Sequence, residues 1–195
     1  MNLKLFAVLL GGRAPGCHIE LHDVVFIVSP SLEEAYPRLV HKWFGTSKRL
    51  HIDSSVELSI VDGHEIILSK EKPDNAENTL YFVNFGGYKP GFFGELHEVG
   101  FYVTNAKPLA VAKAKNELCA GSHQQHCDDN LEIAQFLNKA TALADDVIAI
   151  EKVDNYFIHL KPTSKPATLC VESHYRRLDV PEIIEKAKQL GSVDI

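Results

Sequence analysis

The sequence predicts an α+β protein: an internal duplication of a ββαββ module with mainly antiparallel sheet, two copies about a pseudo-two-fold axis, and a C-terminal strand and helix. Three observations predict it. Residues 11–28, GGRAPGCHIELHDVVFIV, return at 86–103 as GGYKPGFFGELHEVGFYV, with ten of 18 positions identical at an offset of 75 and no gap. Widened to 5–44 against 80–119, the match keeps 13 identities in 40 positions, where chance at ordinary composition gives about two or three. Around each repeat, short apolar runs flank one helical segment and end on a two-residue turn signal, the pattern of strands, a helix and a hairpin.

The elements follow in order. Leu3–Leu10 is a continuous apolar run and reads as a buried strand. A lysine before an apolar stretch also suits a leader peptide. Leu5–Leu10 is short for that, however, and aligns with Leu80–Phe85 inside the chain, so a strand and a cytoplasmic protein are expected. His22–Val28 is the second strand. Ser31 with Glu34 forms a capping box that opens a helix ending near Phe44-Gly45, and Pro37 is expected to kink it or delay its start. Val56–Val61 and Glu65–Ser69 form a hairpin across Asp62-Gly63. The polar stretch Glu71–Thr79 is the linker.

The second copy repeats the plan with strands Leu80–Phe85 and His97–Val103, a helix over Lys107–Leu118, and a hairpin of Val147–Val153 with Tyr156–Leu160 across Asp154-Asn155. Past the helix the match returns at an offset of 92, so this copy carries an insertion of 17 residues. It falls within 120–146, which holds a polar loop, GSHQQHCDDN, and a helix at Leu131–Leu143. Ala167–Ser173 is a last strand. Asp179 with Glu182 caps a final helix ending at Gly191, with Pro181 in its first turn. The expected units are residues 1–72, 78–163 and 164–195.

At 195 residues, with 45% hydrophobic and 24% charged residues, the chain can bury a core without disulfides or a metal. A net charge of -6 argues against a nucleic-acid partner, which calls for a basic face. No run approaches the ~20 apolar residues of a membrane span. Cys17, Cys119, Cys127 and Cys170 form no C-x-x-C pair and read as free thiols in a reducing compartment. Composition leaves a homo-oligomer open.

Strand parity is the most informative detail. Glu20, His22, Val24, Phe26 and Val28 fall at period two on one face, and all five recur as Glu95, His97, Val99, Phe101 and Val103. On the other face only Leu21 is kept. The apolar members mark the repeated face as the core face, with Glu and His at its mouth. If the two loops converge, Glu20, His22, Glu95 and His97 would meet at the module interface. Two imidazoles and two carboxylates there could bind a divalent metal, or a Glu could orient a His acting as general base. The plainer alternative is a set of structural braces for the Gly-Pro loops. GGRAPG and GGYKPG also suggest an anion cradle with Arg13 and Lys89, but they join strand to strand and lack GK[ST]. Their glycines read more simply as positions of positive φ or close backbone approach. His123, His126 and Cys127 are ligands by type in what reads as a solvated loop, and Trp43 and Phe44 read as core.

GGxxPGxxxELH(D/E)V, followed by alternation and a helix, resembles the bacterial domain of unknown function 1543 family, which occurs in one or two copies per chain. This chain resembles a two-copy member over Leu5–Phe44 and Leu80–Cys119. The resemblance implies the duplication and brings no activity, cofactor or catalytic residue with it. From Leu21, LHDVVFIVSPSLEEA also resembles the opening of a glyoxalase/bleomycin-resistance module, a superfamily that pairs βαβββ units around a metal. The function expected is that of a binding or interaction module. The alternative is a metal-dependent or small-ligand enzyme that uses the paired Glu-x-His.

Overall fold

Two long hairpins set the frame of the computed structural model, which describes residues 2–88, 90–118, 124–125, 146–167 and 169–191. The first is β1 (Lys4–Arg13) with β2 (Leu21–Ser29), and the second is β6 (Thr79–Tyr88) with β7 (Leu96–Thr104). Their registers correspond. Leu9 faces Val24 and Gly11 faces His22 in the first; Asn84 faces Val99 and Gly86 faces His97 in the second. After β2 come α1 (Leu32–Lys42), β3 (Thr46–Glu57), β4 (Ile60–Val61) and β5 (His64–Ser69). After β7 come α2 (Lys107–Glu117), β8 (Gln124–Gln125), β9 (Asp146–Ala149), β10 (Lys152–Val153) and β11 (Tyr156–Pro162). The chain closes with β12 (Val171–Arg177) and α3 (Pro181–Leu190).

The strands form three antiparallel sheets in the orders β12-β3-β1-β2, β7-β6-β8 and β10-β11-β5-β4, with β9 also on β6. Alternation along the hairpins divides the core into layers. Phe6, Val8, Leu10, Val25 and Ile27 pack against α1 and α3 on one side of the first sheet. Tyr81, Val83, Phe85 and Tyr102 pack against Ala110 and Ala114 of α2 on the second. The opposite faces meet each other. Leu5, Ala7, Val28 and Val56 share one cluster with Leu80, Phe82 and Val103, and Phe26 meets Phe82 edge-on at 5.7 Å between ring centroids. The repeated Val-Phe-Val face is therefore a sheet-on-sheet face, and the non-repeated parity faces the helices.

The two-residue turns latch the halves together. Asp62 and Asp154 adopt positive φ, 46° and 53°, as such hairpin turns require. Asp154 Oδ2 accepts the Val28 N–H at 2.9 Å, with Arg38 and Lys42 on the same carboxylate. Asp62 Oδ2 accepts the Val103 N–H at 2.9 Å and pairs with Lys113 at 2.8 Å. Each hairpin thus satisfies a strand end and a helix cation in the other half.

Several expectations change. Residues 46–57 form one long strand, where none was expected before Val56, and the first hairpin keeps only Ile60–Val61 as its leading arm. Helix α1 starts at Leu32, capped by Ser31 Oγ from Glu34 N at 3.3 Å, so Pro37 does not delay it. The last strand lies at Val171–Arg177, later than Ala167–Ser173, and pairs with β3, so the C-terminal strand and helix complete the first sheet's layer. Asp179 does not cap α3. The N-cap position is Val180, without a side-chain bond, because the Asp179 carboxylate is taken by Arg49 N–H and Arg177. Phe44 is exposed and stacks on buried Trp43. The expected helix Leu131–Leu143, with His123, His126, Cys119, Cys127 and Lys89, lies outside the described residues. Cys17 and Cys170 are free thiols.

Candidate functional site

Gly11 sits in the middle strand, with His22 of β2 on one side and His51 of β3 on the other. The three share the sheet-facing side, and the absence of a side chain at Gly11 lets the flanking groups close over it. An added Cβ would lie 2.5 Å from His51 Nε2 and 2.7 Å from Asp53 Oδ2. Gly12 is likewise covered by Trp43, at 3.0 Å from such a Cβ. Close approach is thus the role of this glycine pair. Positive φ appears instead at the Pro-Gly positions, Gly16 and Gly91.

Over Gly11 the side chains form a closed ring of alternating imidazole and carboxylate. His22 Nε2 lies 3.1 Å from Asp53 Oδ2 and 3.6 Å from Glu20 Oε1. His51 Nε2 lies 3.3 Å from Asp53 Oδ1 and 3.6 Å from the same Glu20 oxygen. A bulge in β3 helps build it. Leu9 pairs with Ser54 and Leu10 with Ile52, so Asp53 is the extra residue and is released from the ladder.

His51 is the fixed member. It is 1% exposed and stacks on Tyr175 at 4.3 Å between ring centroids. Its Nδ1 lies 2.7 Å from the Arg49 carbonyl. A carbonyl only accepts, so Nδ1 carries a proton and Nε2 is the nitrogen turned into the ring. Arg49 is held in turn: its φ is 64° and its N–H donates to Asp179 Oδ2 at 2.9 Å. Arg177 donates to the other Asp179 oxygen at 2.7 Å and holds that carboxyl below the usual range. The C-terminal segment therefore orients a histidine on β3.

Despite the short imidazole–carboxylate distances, His51 Nε2 and Asp53 Oδ2 are buried without a hydrogen bond. Glu20 and Asp53 bring two carboxylates to a ring whose only other members are imidazoles. Among the described residues, no group of three or more His, Cys, Asp or Glu is placed to hold a metal ion. No described helix is long and apolar enough to cross a membrane.

Of the expected residues, Glu20 and His22 join this ring, and Glu95 pairs with His97 at 3.5 Å on the other sheet. The structure groups Glu20 and His22 with His51 and Asp53 of their own half. Those two residues were missed with the strand that carries them. The signal was present: His51-Ile-Asp53 recurs as His126-Cys-Asp128, again 75 residues on. The described β8 lies on β6, Gly87 facing Gln125, in the register that β3 takes on β1. His126 and Asp128 lie outside the described residues.

Known proteins place the chain as follows. A profile of the family Domain of Unknown Function DUF1543 matches residues 17–68, a span that includes all four ring residues. The crystal structure of protein Il1583 from Idiomarina loihiensis is similar at 36% identity and a TM-score of 0.63, over 91% of this chain and 98% of that one. No curated protein matches significantly. The chain belongs to the same family as Il1583 and carries a DUF1543 domain.

Proposed function

We propose that the protein binds a small molecule at the ring of Glu20, His22, His51 and Asp53, and that the ligand offers it hydrogen-bond donors. The observation behind this is a pair of buried polar atoms that no hydrogen bond satisfies, His51 Nε2 and Asp53 Oδ2, in a ring with two carboxylates. Leaving such a group unmet costs about 1–3 kcal/mol. A fold that spends a glycine, a bulge and a left-handed arginine to hold it in place has a use for it. With Nδ1 held on the Arg49 carbonyl, His51 presents Nε2 to the Glu20 and Asp53 carboxylates. The recurrence of all four residues at one offset supports a set kept as a unit within two copies of one module. The corresponding hairpin registers support the same duplication.

A donor-bearing molecule is favoured over a resident metal because the donor set is not placed as a metal cage. The test is a titration with methylammonium chloride, zinc chloride and manganese chloride, followed through the imidazole 15N resonances. Methylammonium should shift His22 and His51, and Asp53→Asn should abolish the shift while the protein stays folded. Stoichiometric binding of metal alone, or no response at these rings, would overturn the proposal.

A further inference from the structure

We infer that the ligand is an amphiphile, with a cationic, hydrogen-bond-donating head in the ring and a linear apolar body in the cleft between the two sheets. This rests on the ligand-binding reading above and extends it. The cleft measures about 300 Å3 and is lined by Leu9, Val24 and Val56 from the first sheet and Phe82, Val99 and Phe101 from the second. That is the lower end of the ~300–1,000 Å3 typical of small-molecule sites.

Cleft and ring lie on one continuous surface. Leu9 faces Val24 one rung before Gly11 faces His22, and Ser54, opposite Leu9, is also in the cleft wall. Same-face neighbours on a strand are about 7 Å apart, so the ring begins one rung beyond the cleft's end. The apolar floor is left partly uncovered: Val28 and Val103 are buried, but Val99 is 48% exposed. A chain lying there covers what the sheets do not. The head is cationic because the ring supplies two carboxylates, Glu20 and Asp53. A carboxylate head would meet like charge.

The experiment is calorimetric titration with n-alkylammonium chlorides from methyl to hexyl, with n-alkanols and n-alkanoates of equal length as head-group controls. Each methylene that enters the cleft should tighten Kd by about fourfold, from ~0.8 kcal/mol per buried CH2. Alkanols should bind more weakly and alkanoates not at all. Val99→Trp should remove the chain-length dependence and keep methylammonium binding. Equal, Asp53-dependent affinity for methyl- and hexylammonium would overturn the amphiphile and leave the ring as a ligand site. Tighter binding of alkanoates would overturn the cationic head. No Asp53-dependent binding of any member would overturn both.

Discussion

Replacing Gly11 by alanine isolates the feature on which the site depends. The new methyl would lie 2.5 Å from His51 Nε2, 2.7 Å from Asp53 Oδ2 and 2.9 Å from His51 Cε1. Asp53 could swing away. His51 cannot do so cheaply, because it is buried, stacked on Tyr175 and tied to the Arg49 carbonyl. Forcing a methyl into a filled site costs about 1–3 kcal/mol. Gly11 is not at positive φ, so alanine also restricts the unfolded chain and returns about 0.4–1 kcal/mol. The balance is a destabilisation of about 1–2 kcal/mol, which for a chain of this size lowers Tm by about 2–8 °C. Urea denaturation and thermal melting measure it. In Gly11→Ala/His51→Ala the clash with the imidazole is gone and only Asp53 must swing aside, so the double variant should be more stable than the summed single effects by at least ~0.5 kcal/mol. Gly16→Ala is the control. It has no neighbour within 4 Å but φ +84°, so it should cost about 1–2 kcal/mol without touching the ring. A Gly11→Ala protein as stable as the parent, with unchanged His51 resonances, would refute the reasoning.

The other expectations concern what holds the halves and the ring. Asp154→Ala strands the Val28 N–H and two cations, so it should cost about 1–3 kcal/mol in urea, with Asn milder because it keeps an acceptor and tolerates the left-handed turn. Asp62→Ala should behave alike through Val103 and Lys113, and a silent phenotype at both would remove the latches as contributors. The Asp179 carboxyl titrates below its ordinary value because of Arg177. Its contribution is therefore complete above the unfolded value of ~3.9 and lost as pH falls through the folded one. Urea midpoints taken down through that range should fall more for the parent than for Asp179→Asn; parallel curves would contradict this. Tyr102 is held above the ordinary tyrosine range by burial and then by Glu117. Absorbance at alkaline pH should show it ionising last, only as the protein unfolds.

What the sequence made legible follows period two. Val24, Phe26 and Val28 announced a face turned to the core. The residues that complete the site were hidden by the site itself. In β3 the buried apolar residues Leu50, Ile52 and Val56 are separated by His51 and by Asp53-Ser54-Ser55, and the bulge at Asp53 breaks the alternation. A strand that floors a polar ring looks like a loop. The same holds at the C-terminus, where VESHYRR is an exposed edge strand with a bulge between Ser173 and Arg176 and carries no apolar period. Asp179 had the spacing of a cap, but a tertiary partner, Arg49 across 130 positions, outcompeted the local one. Glu20 and His22 were found because the repeat lay in unbroken register there. His51 and Asp53 recur just as faithfully, past a helix where the identities thin out.

The most direct measurement is a crystal structure of the protein with butylammonium. The ammonium nitrogen should lie on the Glu20 and Asp53 carboxylates at the ring's exposed side, with His51 Nδ1 still on the Arg49 carbonyl and the alkyl chain running over Leu9 and Val24 toward Val99. A ring closed on itself by imidazolium–carboxylate bonds, or occupied by a metal ion with the amine elsewhere, would contradict the account.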